Sequence, residues 1–112
     1  MPLQKMTTNH AIVLTSCANK REAERIAERL VADGAAACVS IVDKSTSVYR
    51  WKGKIEKSTE FMLLIKTRAD LTDRVEGTIK GFSSFDCPEV IVLPIMAGSA
   101  EYLGWIDDST AQ

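Results

Sequence analysis

The sequence predicts an α+β domain in which six elements run in the order βαββαβ and a short helix closes the chain. Three observations predict it. Apolar runs of strand character recur at 11–14, 36–41, 61–65 and 90–93. Two stretches of helical periodicity separate them, at 20–33 and at about 70–80. A Lys52-Gly53 turn signal joins two strand runs directly, so they form a hairpin. With 112 residues the chain has the length of one domain. Residues 1–9 are expected to be a disordered polar tail and 10–112 a single folded unit.

Ala11-Ile12-Val13-Leu14 is apolar at every position, which suits a strand buried on both faces. Asn19 followed by Glu22 reads as a capping box, with Asn19 at the N-cap and Glu22 reaching back to it. Ala23, Ile26, Ala27, Leu30 and Val31 then form an apolar helical stripe, with Glu24, Arg25, Glu28 and Arg29 outward. Gly34 supplies the left-handed residue that ends such a helix. A strand over 36–41 follows, then a polar break at Asp43-Lys44-Ser45-Thr46, then a strand Ser47-Val48-Tyr49-Arg50-Trp51. Tyr49 and Trp51 share one face of that strand by simple alternation. The return arm climbs from polar Glu56-Lys57-Ser58-Thr59 into apolar Phe61-Met62-Leu63-Leu64-Ile65, so the hairpin is long and its tip exposed. Leu71, Val75, Ile79 and Phe82 mark the inner face of the second helix, which Gly81 is expected to terminate. Pro88 keeps 85–89 out of a ladder. Val90 to Leu93 is the last strand, and Gly98-Ser99 precedes a helix carrying Tyr102, Leu103, Trp105 and Ile106.

This order is the ferredoxin-like split βαβ arrangement, a four-stranded sheet with two helices on one face. The other face then carries half of each apolar run with nothing to cover it. Monomers rarely expose patches of that size, and the economical cover is a second copy of the chain.

Composition narrows the function. Hydrophobic residues are 46% and charged residues 26%, with a net charge of −1. A folded protein fits these values; a basic nucleic-acid binder does not. The run from Val90 to Ala97 is too short to span a membrane, and the first eight residues do not read as a signal peptide. Three cysteines without a CxxC pair suit a reducing compartment, so a cytoplasmic location is expected. His10 lacks a recognisable catalytic partner and reads as a solvated strand-start residue. Cys38 reads as a small buried hydrophobe, whereas Cys17 and Cys87 could be exposed. Lys66 ends a buried strand, and Tyr49 and Trp51 suit an interface. An acylphosphatase-type enzyme shares the element order, but 15–19 offers no arginine to clamp an anion.

Several segments carry a resemblance. They are Ala36-Ala37-Cys38-Val39, Ser47 through Glu56 with its Tyr49-Arg50-Trp51-Lys52-Gly53 core, Lys66-Thr67, Pro88-Glu89-Val90, and Gly98 through Trp105. In these the chain resembles CutA, the divalent-cation tolerance proteins, from about Ala11 to Asp107. The resemblance implies a tight homotrimer in which long hairpins pack neighbouring sheets together. It also implies a similarity in architecture to the PII signal proteins, which bind small effectors between subunits. The family is linked to copper and other divalent metals, and no catalytic reaction is established for it. The histidine–proline–tyrosine segment common in the family is here Ser83-Ser84-Phe85, and Thr15 stands where a thiol is often found.

Cys38 and Glu89 match family positions and are the candidate metal donors. Lys66, Tyr49, Trp51, Tyr102 and Trp105 are the candidate lining of a ligand cleft. The expected function is that of a non-enzymatic trimer that needs no cofactor to fold. It would bind copper, another divalent metal or a small anionic ligand. The alternative is a trimeric scaffold that anchors a partner protein through the hairpin tip and last helix.

Overall fold

The computed structural model describes residues 8–111. β1 spans His10–Cys17, α1 Lys20–Ala32, β2 Cys38–Trp51 and β3 Lys54–Arg68. A 3-10 turn at Ala69–Leu71 leads into α2, Thr72–Phe82; β4 is Ile91–Pro94 and α3 Ala100–Asp108. The sheet order is β2-β3-β1-β4 with every pair antiparallel, as the expected ferredoxin-like arrangement requires. Of the expected tail, 1–7 lie outside the described residues; the Asn9 carbonyl accepts the Ala69 amide at 2.8 Å.

α1 begins where Asn19 Oδ1 accepts the Glu22 amide at 2.8 Å. Glu22 also reaches back, but its Oε2 takes the Ala18 amide at 3.4 Å, one residue before the N-cap. The box is therefore shifted by one residue from the expected pattern. At the other end the Gly34 amide donates to the Val31 carbonyl and the Ala35 amide to the Leu30 carbonyl. Gly34 has φ +72°, so this is the left-handed helix stop that the glycine predicts.

Ala23, Ile26, Ala27 and Leu30 of α1 are buried as expected. Val31 is not: it is 47% exposed, because the stripe that meets the sheet is narrower than the apolar pattern. Phe82, expected on the inner face of α2, is 36% exposed with the Arg25 guanidinium 5.4 Å from its ring centroid. Gly81 does not end α2, which runs on to Phe82 and stops at extended Ser83.

The polar segment 43–46 does not break the strand. β2 is continuous, with one extra residue bulged out between the pairs Val42↔Met62 and Ser45↔Glu60. Lys44 takes φ +56° there. A bulge of this kind reverses the alternation of its strand. Before it, the odd residues Val39 and Ile41 lie opposite buried Ile65 and Leu63. After it, the odd residues Ser47, Tyr49 and Trp51 lie opposite the even residues Ser58, Glu56 and Lys54. The hairpin closes as expected through Lys52 and Gly53, both at positive φ.

The core lies between the helices and one sheet face. Val13, Ile26, Leu30, Leu63, Ile65, Val75 and Ile79 are all fully buried there. Each contributes about 1.5–3 kcal/mol of burial free energy. The opposite face carries Ile12, Leu14, Val42, Met62, Leu64, Ile91 and Leu93, by register. α3 closes over one end of it. Ile106 is fully buried, and Asp107 Oδ1 lies 2.9 Å from His10 Nε2. The rest of that face is open: Val42 is 47%, Ile91 46% and Leu93 42% exposed.

Candidate functional site

The open face collects most of the predicted site residues. Cys38 lies directly across from Lys66, which in turn lies across from Ile12. The Lys66 ammonium donates to the Ser40 hydroxyl, two residues along β2 on the same face. Tyr49 and Trp51 share this face but sit near the hairpin tip. Roughly 35 Å of strand separates Tyr49 from Cys38. Between them Glu60 accepts the Ser47 hydroxyl at 3.0 Å and the Ser58 hydroxyl at 2.7 Å. That trio is a polar island that the sequence reading missed.

Tyr102 and Trp105 lie on α3, whose N-cap Ser99 accepts the Tyr102 amide at 3.1 Å. Their rings are 5.4 Å apart and tilted at 39°, and both are exposed. Arg68 faces Asp70 with two bonds, Nε to Oδ1 at 2.9 Å and Nη2 to Oδ2 at 3.2 Å. The Arg68 hydrogen bond, with its charge, holds the Asp70 carboxyl below its ordinary value.

His10 corrects an expectation. Its side chain is only 12% exposed and pairs with Asp107, so it is a tie between β1 and α3, not a solvated residue. Sequence alone gave no signal for a partner so distant along the chain.

The thiols separate by environment. Cys17 is buried on the helix side, 1% exposed, which corrects the reading that it could be exposed. Burial, and secondarily the charge and hydrogen bond of Glu22, push its pKa from 9.0 to about 12. Cys38 is half-buried, not fully buried as expected, and Cys87 is exposed.

The donors do not converge on a metal site within one chain. Three strand spacings and about four residues of rise put Cys38 and Glu89 roughly 20 Å apart. Thr15 faces the core, and its fully buried hydroxyl has no hydrogen-bond partner among the described residues. Among the described residues no group of three or more His, Cys, Asp and Glu side chains could hold an ion.

Comparison with known proteins decides the family. A family model described as CutA1 divalent ion tolerance protein matches residues 11–109. The chain belongs to that family. A rice CutA 1 described as chloroplastic is 39% identical over 106 residues, 95% of this chain and 60% of its own length. The chain thus spans three-fifths of that CutA relative. The divalent-cation tolerance protein CutA of Thermus thermophilus is 36% identical, over 88% of this chain and 96% of its own length. The crystal structure of CutA1 from Oryza sativa superposes with a TM-score of 0.90 at 37% identity, covering 97% of this chain and 99% of that one. The expected CutA fold, α+β with a four-stranded antiparallel sheet and three helices, is the observed one. Among the described residues no helix is long and apolar enough to cross a membrane.

Proposed function

We propose that this chain serves divalent-cation tolerance as a non-enzymatic homotrimer. In it, open sheet faces pack between subunits, and ligands are held in the clefts so formed. The observation that carries the reading is the uncovered apolar face, with Val42, Ile91 and Leu93 each more than two-fifths exposed. Exposed Tyr49 and Trp51 lie on the same side of the sheet, beyond the polar island around Glu60. Aromatic residues beside an apolar face are the composition of an interface core. Light scattering should give a particle of three times the 12.3 kDa chain mass. A monomer at micromolar concentration overturns this reading.

Cys38, Glu89, Lys66, Tyr49, Trp51, Tyr102 and Trp105 remain the candidate cleft residues. Because Cys38 and Glu89 stand apart within one chain, an ion bound by both takes them from different subunits. Thiolate ligation suits soft Cu(I). The Lys66 ammonium beside Cys38 equally suits a small anion. Copper titration of the reduced protein and of Cys38→Ser separates the two. An unchanged isotherm removes Cys38 from any metal site. Three free thiols support a reducing compartment such as the cytoplasm.

One observation favours a scaffold role as well. Val48 and Ile55, on the reverse face of the hairpin, are 60% and 68% exposed. A partner protein gripping the tip would lose its hold on a Val48→Ser, Ile55→Ser variant, and a pull-down with that variant tests it.

A further inference from the structure

A concave region lies on the helix side of the molecule, away from the open face. A cavity of about 290 Å³ opens between the start of α1 and the end of α2, lined by Asn19, Arg21, Glu22, Arg25 and Phe82. Arg21 and Arg25 are four residues apart, so they rise from one side of α1. Arg29 and Arg68 are each paired with a carboxylate. Among the described residues, Arg21 and Arg25 have no such partner. Arg25 lies over the Phe82 ring, which fixes the plane of its guanidinium.

Glu22 makes the floor rigid. Its Oε1 accepts the Ser84 amide at 3.0 Å and its Oε2 the Ala18 amide at 3.4 Å, tying the loop after α2 to the loop before α1. The Cys17 thiol bonds this carboxylate as well, so one acceptor site of its four remains free. Asn19 Oδ1 is committed to the helix cap, so recognition of an anion falls to the two guanidinium groups.

We propose that this cavity binds a small phosphomonoester bearing a free hydroxyl. Two arginines line the cavity and supply the charge for the phosphate, a role in which arginine outperforms lysine. Glu22 accepts the hydroxyl, and the carbon chain rests against Phe82. The volume is at the small end of ligand sites, which limits the ligand to a few carbons. The site lies within one chain, on the helix side and not on the open sheet face that the proposed trimer uses.

The test titrates the full chain with glycerol 3-phosphate, inorganic phosphate and glycerol, following amide shifts by NMR and heats by calorimetry. Glycerol 3-phosphate should saturate with a Kd on the order of 1 mM or tighter. The shifts should centre on Arg21, Glu22, Phe82 and Ser84. Inorganic phosphate should bind more weakly, and glycerol should not bind. Arg21→Gln and Arg25→Gln put good helix formers at exposed positions, so both variants fold. Each should weaken glycerol 3-phosphate about tenfold or more. Absence of saturation by about 20 mM overturns the proposal. Unchanged affinity in both variants also overturns it, and so does equal affinity for inorganic phosphate.

Discussion

Gly34→Ala should destabilise the fold by about 1.5–3.5 kcal/mol through two separable effects. Gly34 holds φ +72°, where a residue with a Cβ meets its own backbone. That costs roughly 1–2 kcal/mol. The added Cβ would also stand 3.1 Å from the Ala111 nitrogen and Cβ. The chain terminus would have to move, and the Ala111 amide now donates to the Gly34 carbonyl at 2.7 Å. Loosening that bond adds about 0.5–1.5 kcal/mol. Urea denaturation at one fixed protein concentration measures the total, since an oligomer's midpoint depends on concentration. The same substitution in a chain ending at Thr110 removes the second effect, so its cost there should fall to the backbone part. The difference between the two backgrounds is the coupling energy. A total below about 0.5 kcal/mol would refute the left-handed strain. Equal costs in both backgrounds would refute the contact with the tail.

Other outcomes follow from the same geometry. Asn19→Ala removes the acceptor of the Glu22 amide and should cost about 1 kcal/mol in the same assay, a typical value for a lost N-cap. A thiol reagent should modify exposed Cys87 first, half-buried Cys38 more slowly and Cys17 only as the chain unfolds. Cys17 also sets an alkaline limit. Its folded pKa is raised from 9.0 to about 12, so between those values the unfolded chain loses a proton that the folded chain keeps. The associated stability is fully present below pH 9 and falls as pH rises toward 12, with a slope approaching 1.4 kcal/mol per pH unit. Cys17→Ala should flatten that part of a stability-against-pH curve; an unaltered slope would assign it to another group.

The order of elements was legible because helix and strand periods differ strongly in this chain. The α1 cap, the Gly34 stop and the Lys52-Gly53 turn each need particular residue types, and each stands where those residues are. The errors share a different cause: they depend on where an element meets its neighbours. Val31 continues the helical stripe in sequence but lies beyond the contact with the sheet. Phe82 ends α2 where the packing runs out, and there Arg25 covers it. Cys17 was misplaced because polar Thr15 and Ser16 conceal that β1 continues past Leu14 with alternating Ala11, Val13, Thr15 and Cys17 still facing the core. The His10–Asp107 tie and the cavity of Arg21, Arg25 and Phe82 join segments far apart along the chain, which no local pattern can announce.

The bulge between Val42 and Ser45 is the misreading with the largest functional consequence. Read as a break, 43–46 separates two short strands and leaves their faces unrelated. Read as one extra residue in a continuous strand, it decides which way the hairpin aromatics look. Val39 and Ile41 are odd-numbered and face the helices. Without the bulge, Tyr49 and Trp51 would follow them to that side. With it, they turn to the side of Cys38, Lys66, Leu14 and Ile91. The open sheet and the hairpin aromatics then share one side of the sheet. One extra residue therefore links the two parts of the proposed interface. Deleting Lys44 would remove the extra residue yet leave Tyr49 opposite Glu56 and Trp51 opposite Lys54, so the aromatics would keep the open side. The sheet's own core residues would keep their places, because they pair ahead of the bulge. A trimer of unchanged mass is therefore the expected result for a folded Lys44-deleted chain. A Tyr49→Ser, Trp51→Ser chain should instead lose trimer stability, and a trimer of unchanged mass and stability in that variant would show that the hairpin aromatics do not contribute.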